Sequence, residues 1–117
     1  MLNSENILDE LKDRFPDFEI YPEAEGLYTV IFSFFARYLS SAFKENDRVI
    51  INKASEFIDQ MCASKDNTVE ACIDEIFLGF YTDPERPYEI FKKSLSEEAQ
   101  LRFEQTIILW DRQKLIE

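Results

Sequence analysis

The chain has 117 residues, 45% of them hydrophobic, which is enough for the core of one domain and too apolar for a disordered chain. Its formal net charge of −11 disfavours binding to nucleic-acid phosphates or to the anionic membrane surface. No apolar run reaches the roughly 20 residues that cross a bilayer. We therefore expect residues 1–117 to form a single domain that binds neither nucleic acid nor membrane.

The chain begins with a predicted short helix and an acidic connection. Ser4 can cap this helix and Pro16 ends it. Apolar residues recur on one helical face between these limits: Ile7, Leu8, Leu11 and Phe15. The next segment, "PDFEIYPEAEG", predicts an extended connection that three apolar side chains anchor: Phe18, Ile20 and Tyr21.

The second helix is predicted over about residues 27–43, "LYTVIFSFFARYLSSAF". This segment is apolar on nearly every side and contains no acidic residue. Its β-branched and aromatic residues would also suit a strand, but a length of about 17 residues favours a helix. A helix that is hydrophobic all round is buried on most sides, so we expect it at the centre of the bundle.

Two further helices follow, joined by a short polar loop. The third is capped by Asn46 or Asp47 and extends to about Ala63, and the fourth is capped by Asn67 or Thr68. The fourth has the clearest apolar stripe in the sequence, with helical spacing at Val69, Cys72, Ile73, Ile76, Phe77 and Phe80. The loop between them is short, which predicts antiparallel neighbours.

The last helix is predicted after the break at "TDPERP" and carries two apolar stripes. It starts at Ser94 or Ser96, since Ser94 with Glu97 fits a capping box. One stripe, expected in the core, contains Ala99, Phe103, Ile107 and Trp110. The other contains Leu101, Ile108 and Leu115, and it either packs on neighbouring elements such as the first helix or contacts a partner, for example a second copy in a homodimer.

These elements together predict an all-α fold: a compact bundle of five or six helices with antiparallel neighbours. The only cysteines are Cys62 and Cys72, which flank the loop between the third and fourth helices. An antiparallel pair could bring them together in a disulfide, but we expect reduced, small core residues in a cytoplasmic protein.

The sequence offers little for catalysis. The chain contains no histidine, so a Ser or Cys nucleophile lacks its usual base, and its two glycines stand apart rather than in a phosphate-binding loop. Glu70 and Asp74 lie one helical turn apart and could contribute to a carboxylate metal site only with ligands from another helix. We therefore expect a non-enzyme without cofactor or metal.

The flank of the fourth helix is the candidate partner-binding surface. Besides its apolar stripe, this helix and the loop after it carry Glu70, Asp74, Leu78, Tyr81, Asp83 and Glu85, with no basic residue between Lys65 and Arg86. Tyrosine gives a large contact area at low entropic cost, and surrounding acids complement a cationic partner. The alternative is a helix end whose Leu and Tyr tuck under the proline loop.

Three segments in order, "RFPDFEIY", "LYTVIFSFFARYL" and "ASEFIDQMCASKDNTVEACIDEIF", give the chain a family resemblance. Over about residues 14–82 it resembles small acidic all-helical bacterial immunity proteins of toxin–immunity systems. The resemblance implies a cytoplasmic protein that binds and neutralises a cognate toxin domain, often a basic nuclease. It assigns no contact residues.

The leading functional hypothesis is therefore a stoichiometric inhibitor that binds a basic protein partner, a toxin domain. A DNA mimic that binds nucleic-acid-binding regulators is a related hypothesis. The alternatives are an adaptor or self-assembling helical protein that uses the second stripe of the last helix, and a carboxylate metal-binding enzyme.

Overall fold

The computed structural model describes the backbone of residues 1–85 and 87–116 and the side chains of residues 1–85 and 87–113. Within these ranges the chain is all-helical, as predicted. The helices are α1 (Ile7–Arg14), α2 (Tyr28–Lys44), α3 (Arg48–Ala63), α4 (Asn67–Thr82), α5 (Tyr88–Ser94) and α6 (Glu97–Ile116), with a 3₁₀ turn at Pro22–Ala24 in the acidic connection. They form a compact bundle with a radius of gyration of 13.5 Å.

Two helix starts differ from the prediction. Ser4 does not cap α1, because residues before Ile7 form a turn in which the side chain of Asn3 accepts from the backbone N–H of Asn6. The cap of α4 is Asp66 rather than Asn67 or Thr68, and its carboxylate accepts from the backbone of Thr68 at 2.8 Å. Asp66 also accepts from the backbone N–H of Ser4 at 3.0 Å, so it joins α4 to the chain start.

Two other predicted caps are confirmed. Asp47 accepts a hydrogen bond from the backbone N–H of Ile50 and starts α3. Ser96 accepts from the backbone N–H of Ala99 and starts α6. Ser94, the other candidate, is the last residue of α5, where its hydroxyl donates to the carbonyl of Phe91.

The centre of the bundle is shared by α2 and α4. The predicted apolar stripe of α4 is buried throughout, and α4 packs against α2, α3, α5 and α6. The contact between α2 and α4 is close: a methyl group on Gly79 would lie 2.5 Å from the Cβ of Ala36. Helix α2 is less enclosed than its composition suggests, because Val30, Arg37 and Ser41 face solvent.

Aromatic rings fill the core around this helix pair. Phe15, the residue that ends α1, packs edge to face on Phe35 in the middle of α2 and on Phe57 of α3. Near the end of α2, Phe43 packs on Phe91 of α5, with ring centroids 5.4 Å apart. The middle and the end of α2 thus pack against different parts of the chain.

Both cysteines are free thiols, as the reduced-cysteine prediction requires. Cys72 is fully buried in the core and Cys62 is half-buried. Burial raises the pKa of the Cys72 thiol to about 12 and that of Cys62 to about 11. Thiols with such pKa values remain protonated at neutral pH and are poor nucleophiles.

Candidate functional site

The middle of the candidate surface on α4 lies against α6. The Asp74 carboxylate is ion-paired with the guanidinium of Arg102, at 2.9 Å between Oδ1 and Nη2. The buried hydroxyl of Thr106 donates to the same oxygen at 3.0 Å and accepts from Nη1 of Arg102 at 2.5 Å. This part of the acidic face is therefore a hydrogen-bonded contact between two helices.

The two apolar members of the surface are half-buried beside α6 and the proline loop. Leu78 and Trp110 line a cavity of about 500 Å³ that also reaches Pro84. The Tyr81 hydroxyl donates to the Asp111 carboxylate, at 3.1 and 3.2 Å to its two oxygens. The ring of Tyr81 also packs on that of Tyr88. Tyr81 thus contacts α5 and α6, and Leu78 shares its cavity with Pro84 of the proline loop.

The acids after α4 are paired with a lysine of α2. Asp83 accepts from the hydroxyl of Ser40 at 2.5 Å and lies 3.1 Å from Nζ of Lys44, and Glu85 lies 3.5 Å from the same nitrogen. Burial alone would raise the pKa of Asp83, but the hydrogen bonds from Ser40, Lys44 and the Glu85 backbone outweigh it and lower the pKa. Asp83 thus ties the end of α4 to α2.

Glu70 differs from the other acids of the surface, since it is exposed and has no ion-pair partner among the described residues. No basic residue lies between Lys65 and Arg86 in the sequence, but the fold brings Arg102 from α6 and Lys44 from α2 to this surface. A partner that bound Asp74, Asp83 or Glu85 would compete with these internal cations.

One more carboxylate lies in the cavity of about 500 Å³. Glu75 lines it together with Arg37 and Ser33 from α2. Burial raises the pKa of Glu75, and the negative charge of Asp74 raises it further. The lining of this cavity therefore contains one guanidinium group, that of Arg37, and two carboxylates, those of Glu75 and Asp83.

The last helix exposes most of its second apolar stripe. Leu101 is 58% and Ile108 is 53% exposed, so these residues do not pack on α1 or another neighbour, and that alternative was wrong for them. The side chain of Leu115 lies outside the described residues. In the other stripe, which was expected in the core, Ala99 and Phe103 are buried and Ile107 is half-buried against the core, whereas Trp110 is half-buried beside the cavity of about 500 Å³.

A second acidic surface, which the candidate residues did not include, lies between α1 and the acidic connection. We call it the N-terminal groove: a depression of about 600 Å³ lined by Glu5, Leu8, Asp9, Lys12, Phe18, Ile20, Tyr21, Pro22, Glu25, Tyr28 and Ile31. Its floor is apolar, with Ile31 buried and Phe18 packed on Phe35. Three carboxylates and one ammonium group stand around it.

The acids near this groove form no ion pair with any described residue. In the described parts of the chain, the acids within 4.0 Å of a Lys or Arg nitrogen are Glu10, Asp74, Asp83, Glu85 and Glu104. None of the three groove acids is in that set, nor are Asp17 and Glu19, which line an adjoining depression with Phe18 and Tyr21. The alternation of acids with apolar residues at 17–25 was the signal that could have identified this surface.

The described residues carry neither a metal-binding cluster nor a membrane-spanning helix. They contain no group of three or more acidic or cysteine side chains placed to hold a metal ion. None of their helices is both long enough and apolar enough to span a membrane.

Comparison with known proteins gives one match. No curated protein and no solved structure is significantly similar to the chain. One family model matches residues 8–111, from the first turn of α1 to the last turns of α6, and covers the α4 surface and all of the N-terminal groove except Glu5. The chain therefore belongs to the family described as "Domain of unknown function (DUF7674)".

Proposed function

We propose that this protein acts by binding, as a stoichiometric inhibitor that covers a basic surface of a partner protein. The observation that supports this function is the unbalanced negative charge: most acids of a chain with net charge −11 have no cation within ion-pair distance in the described structure. Such a field accelerates association with a cationic protein and adds little to folding stability.

The partner in this proposal is a basic toxin domain, such as a nuclease. The support is the resemblance of residues 14–82 to immunity proteins together with the sign of the charge. We place the complex in the cytoplasm, where the free thiols of Cys62 and Cys72 would remain reduced.

The test is affinity capture of proteins from a lysate of the source organism, with washes at low and then high salt. We expect one basic protein at equal stoichiometry, released by salt, whose activity falls to the background level when one equivalent of inhibitor is added. A captured protein that keeps its full activity in the complex would contradict inhibition.

Self-assembly is the second candidate function, and the exposed stripe of α6 favours it. Leu101 and Ile108 place apolar side chains in solvent one above the other on the helix. Sedimentation would show a dimer that Ile108→Glu converts to a monomer. A monomer at all concentrations would exclude this stripe as a dimer interface.

A further inference from the structure

We propose that the N-terminal groove is the surface that receives the partner, and that its occupant is a cationic segment with an apolar anchor. This inference rests on the proposed function and identifies the part of the chain that performs it. The groove combines an apolar floor with a rim in which three carboxylates outnumber one ammonium group.

The apolar part of the groove is accessible without rearrangement of the core. Tyr21 is 56% exposed, although its ring packs edge to face on Phe34. Phe18, Ile20 and Tyr28 are half-buried, so each presents part of its side chain to the depression. A Leu or aromatic side chain of a partner could therefore bury apolar area against these groups.

The floor is also held in place by contacts that a partner need not break. The Tyr28 hydroxyl donates to the carbonyl of Ser4 at 3.0 Å, which joins the start of α2 to the turn before α1. Phe18 packs on Phe35 and Tyr38 of α2, with ring centroids 5.2 and 5.4 Å apart. Binding to this preformed surface breaks no ion pair of the described structure, whereas binding to Asp74, Asp83 or Glu85 would have to compete with their ion pairs.

Charge complementarity selects the chemistry of the occupant. The carboxylates of Glu5, Asp9 and Glu25 are exposed and have no ion-pair partner in the described structure. Lys or Arg groups of a partner would therefore form new pairs without displacing internal ones. An anionic or purely apolar occupant would leave these charges uncompensated.

The experiment uses a labelled peptide of alternating Lys and Leu as the probe, and fluorescence anisotropy at 150 mM salt. Glu5→Lys with Glu25→Lys alters the groove. Glu45→Lys with Glu89→Lys gives the same change in net charge at the far end of α2, a helix of 17 residues and therefore about 25 Å long. This separation exceeds the screening length of about 8 Å.

We expect the groove pair to weaken peptide binding at least about tenfold and the remote pair less than about threefold. Tyr21→Ala should also weaken binding several-fold, whereas Ile90→Ala, at a residue of similar exposure (58%), should not. A peptide of alternating Lys and Ser should bind more weakly than the Lys–Leu peptide, because it lacks the apolar anchor.

If the groove pair and the remote pair of substitutions weaken peptide binding equally, the groove is not the binding site. That result would still agree with a basic partner that binds elsewhere on the acidic surface. Failure of the Lys–Leu peptide to bind would also overturn the groove, while capture and inhibition of the toxin domain test the proposed function separately. If the acids of α4 rather than those of the groove are shielded from solvent in the captured complex, the interface lies on α4 and not in the groove.

Discussion

The acids of α4 and the acids of the N-terminal groove have different roles in the fold. Asp74 and Asp83 each have a cation from another helix within 3.1 Å, and each joins α4 to that helix. Glu5 and Glu25 have no such partner in the described structure and face an apolar depression. The acids thus form stabilising contacts between helices in one region and leave unpaired negative charge on the surface in the other.

The largest effect is expected where α4 meets α2. In Gly79→Ala the new methyl would lie 2.5 Å from Cβ of Ala36, so the helices must separate. We expect urea unfolding to show a loss of about 2 kcal/mol in the free energy of unfolding. In an Ala36→Gly background the clash is absent, and the same change should be neutral or stabilising, since Ala favours a helix over Gly. Equal losses in both backgrounds would contradict the close contact.

The paired acids should matter more for stability than the exposed one. Asp74→Ala removes the partner of Arg102 and of the buried Thr106 hydroxyl, and we expect it to cost about 1 to 1.5 kcal/mol in urea unfolding. Glu70→Ala, one turn earlier on the same helix, should change stability by less than about 0.5 kcal/mol. Similar values for the two variants would mean that the contact between α4 and α6 contributes nothing.

Neutralising the unpaired acids should increase the free energy of unfolding, whereas removing the paired acids lowers it. Glu19→Gln with Glu25→Gln reduces repulsion among carboxylates that have no partner in the described structure, so we expect a gain of about 0.3 kcal/mol at low salt. The gain should disappear at 0.5 M salt because screening removes the repulsion. A loss of stability would show that these acids support the fold and would weaken the contrast with α4.

Another small effect concerns the pH dependence that Glu75 gives to stability. Burial and Asp74 raise its pKa in the folded state, so the folded protein binds this proton more tightly than the unfolded chain, and stability falls as pH rises through the folded pKa. Glu75→Gln should therefore stabilise the protein by about 0.5 kcal/mol or less at pH 7 and not at all below the ordinary pKa of a glutamate. Thermal unfolding of both proteins at the two pH values measures this. A stability difference between Glu75→Gln and the parent protein that does not change with pH would contradict a raised pKa for Glu75.

Asp83 provides the control of opposite sign for that measurement. Its folded pKa is lowered, so its contribution is present above the unfolded pKa and is lost as pH falls through the folded pKa. Asp83→Asn should therefore destabilise at pH 7 and converge with the parent protein in acid. The two variants together distinguish a carboxylate whose charged form the fold destabilises, Glu75, from one whose charged form it stabilises, Asp83.

The amino-acid sequence by itself determined the helical class and most of the core. The stripe from Val69 to Phe80 repeats with the 3.6-residue period of a helix, which by itself shows that one face of that helix is apolar. All six of its residues are buried in the structure. The caps Asp47 and Ser96 were predictable because a cap bonds to backbone two or three residues away. Asp66 was missed, although the same local rule applies to it.

Only the tertiary structure decided which charges are paired. Arg102 reaches Asp74 across 28 positions of sequence and Lys44 reaches Asp83 across 39, so no local pattern could reveal that the α4 acids have internal cations. The same holds for the N-terminal groove, whose apolar floor takes Leu8 from α1 and Ile31 from α2. Local spacing fixes which face of a helix is apolar, whereas pairing depends on which helices meet, and that is set by packing of the whole core.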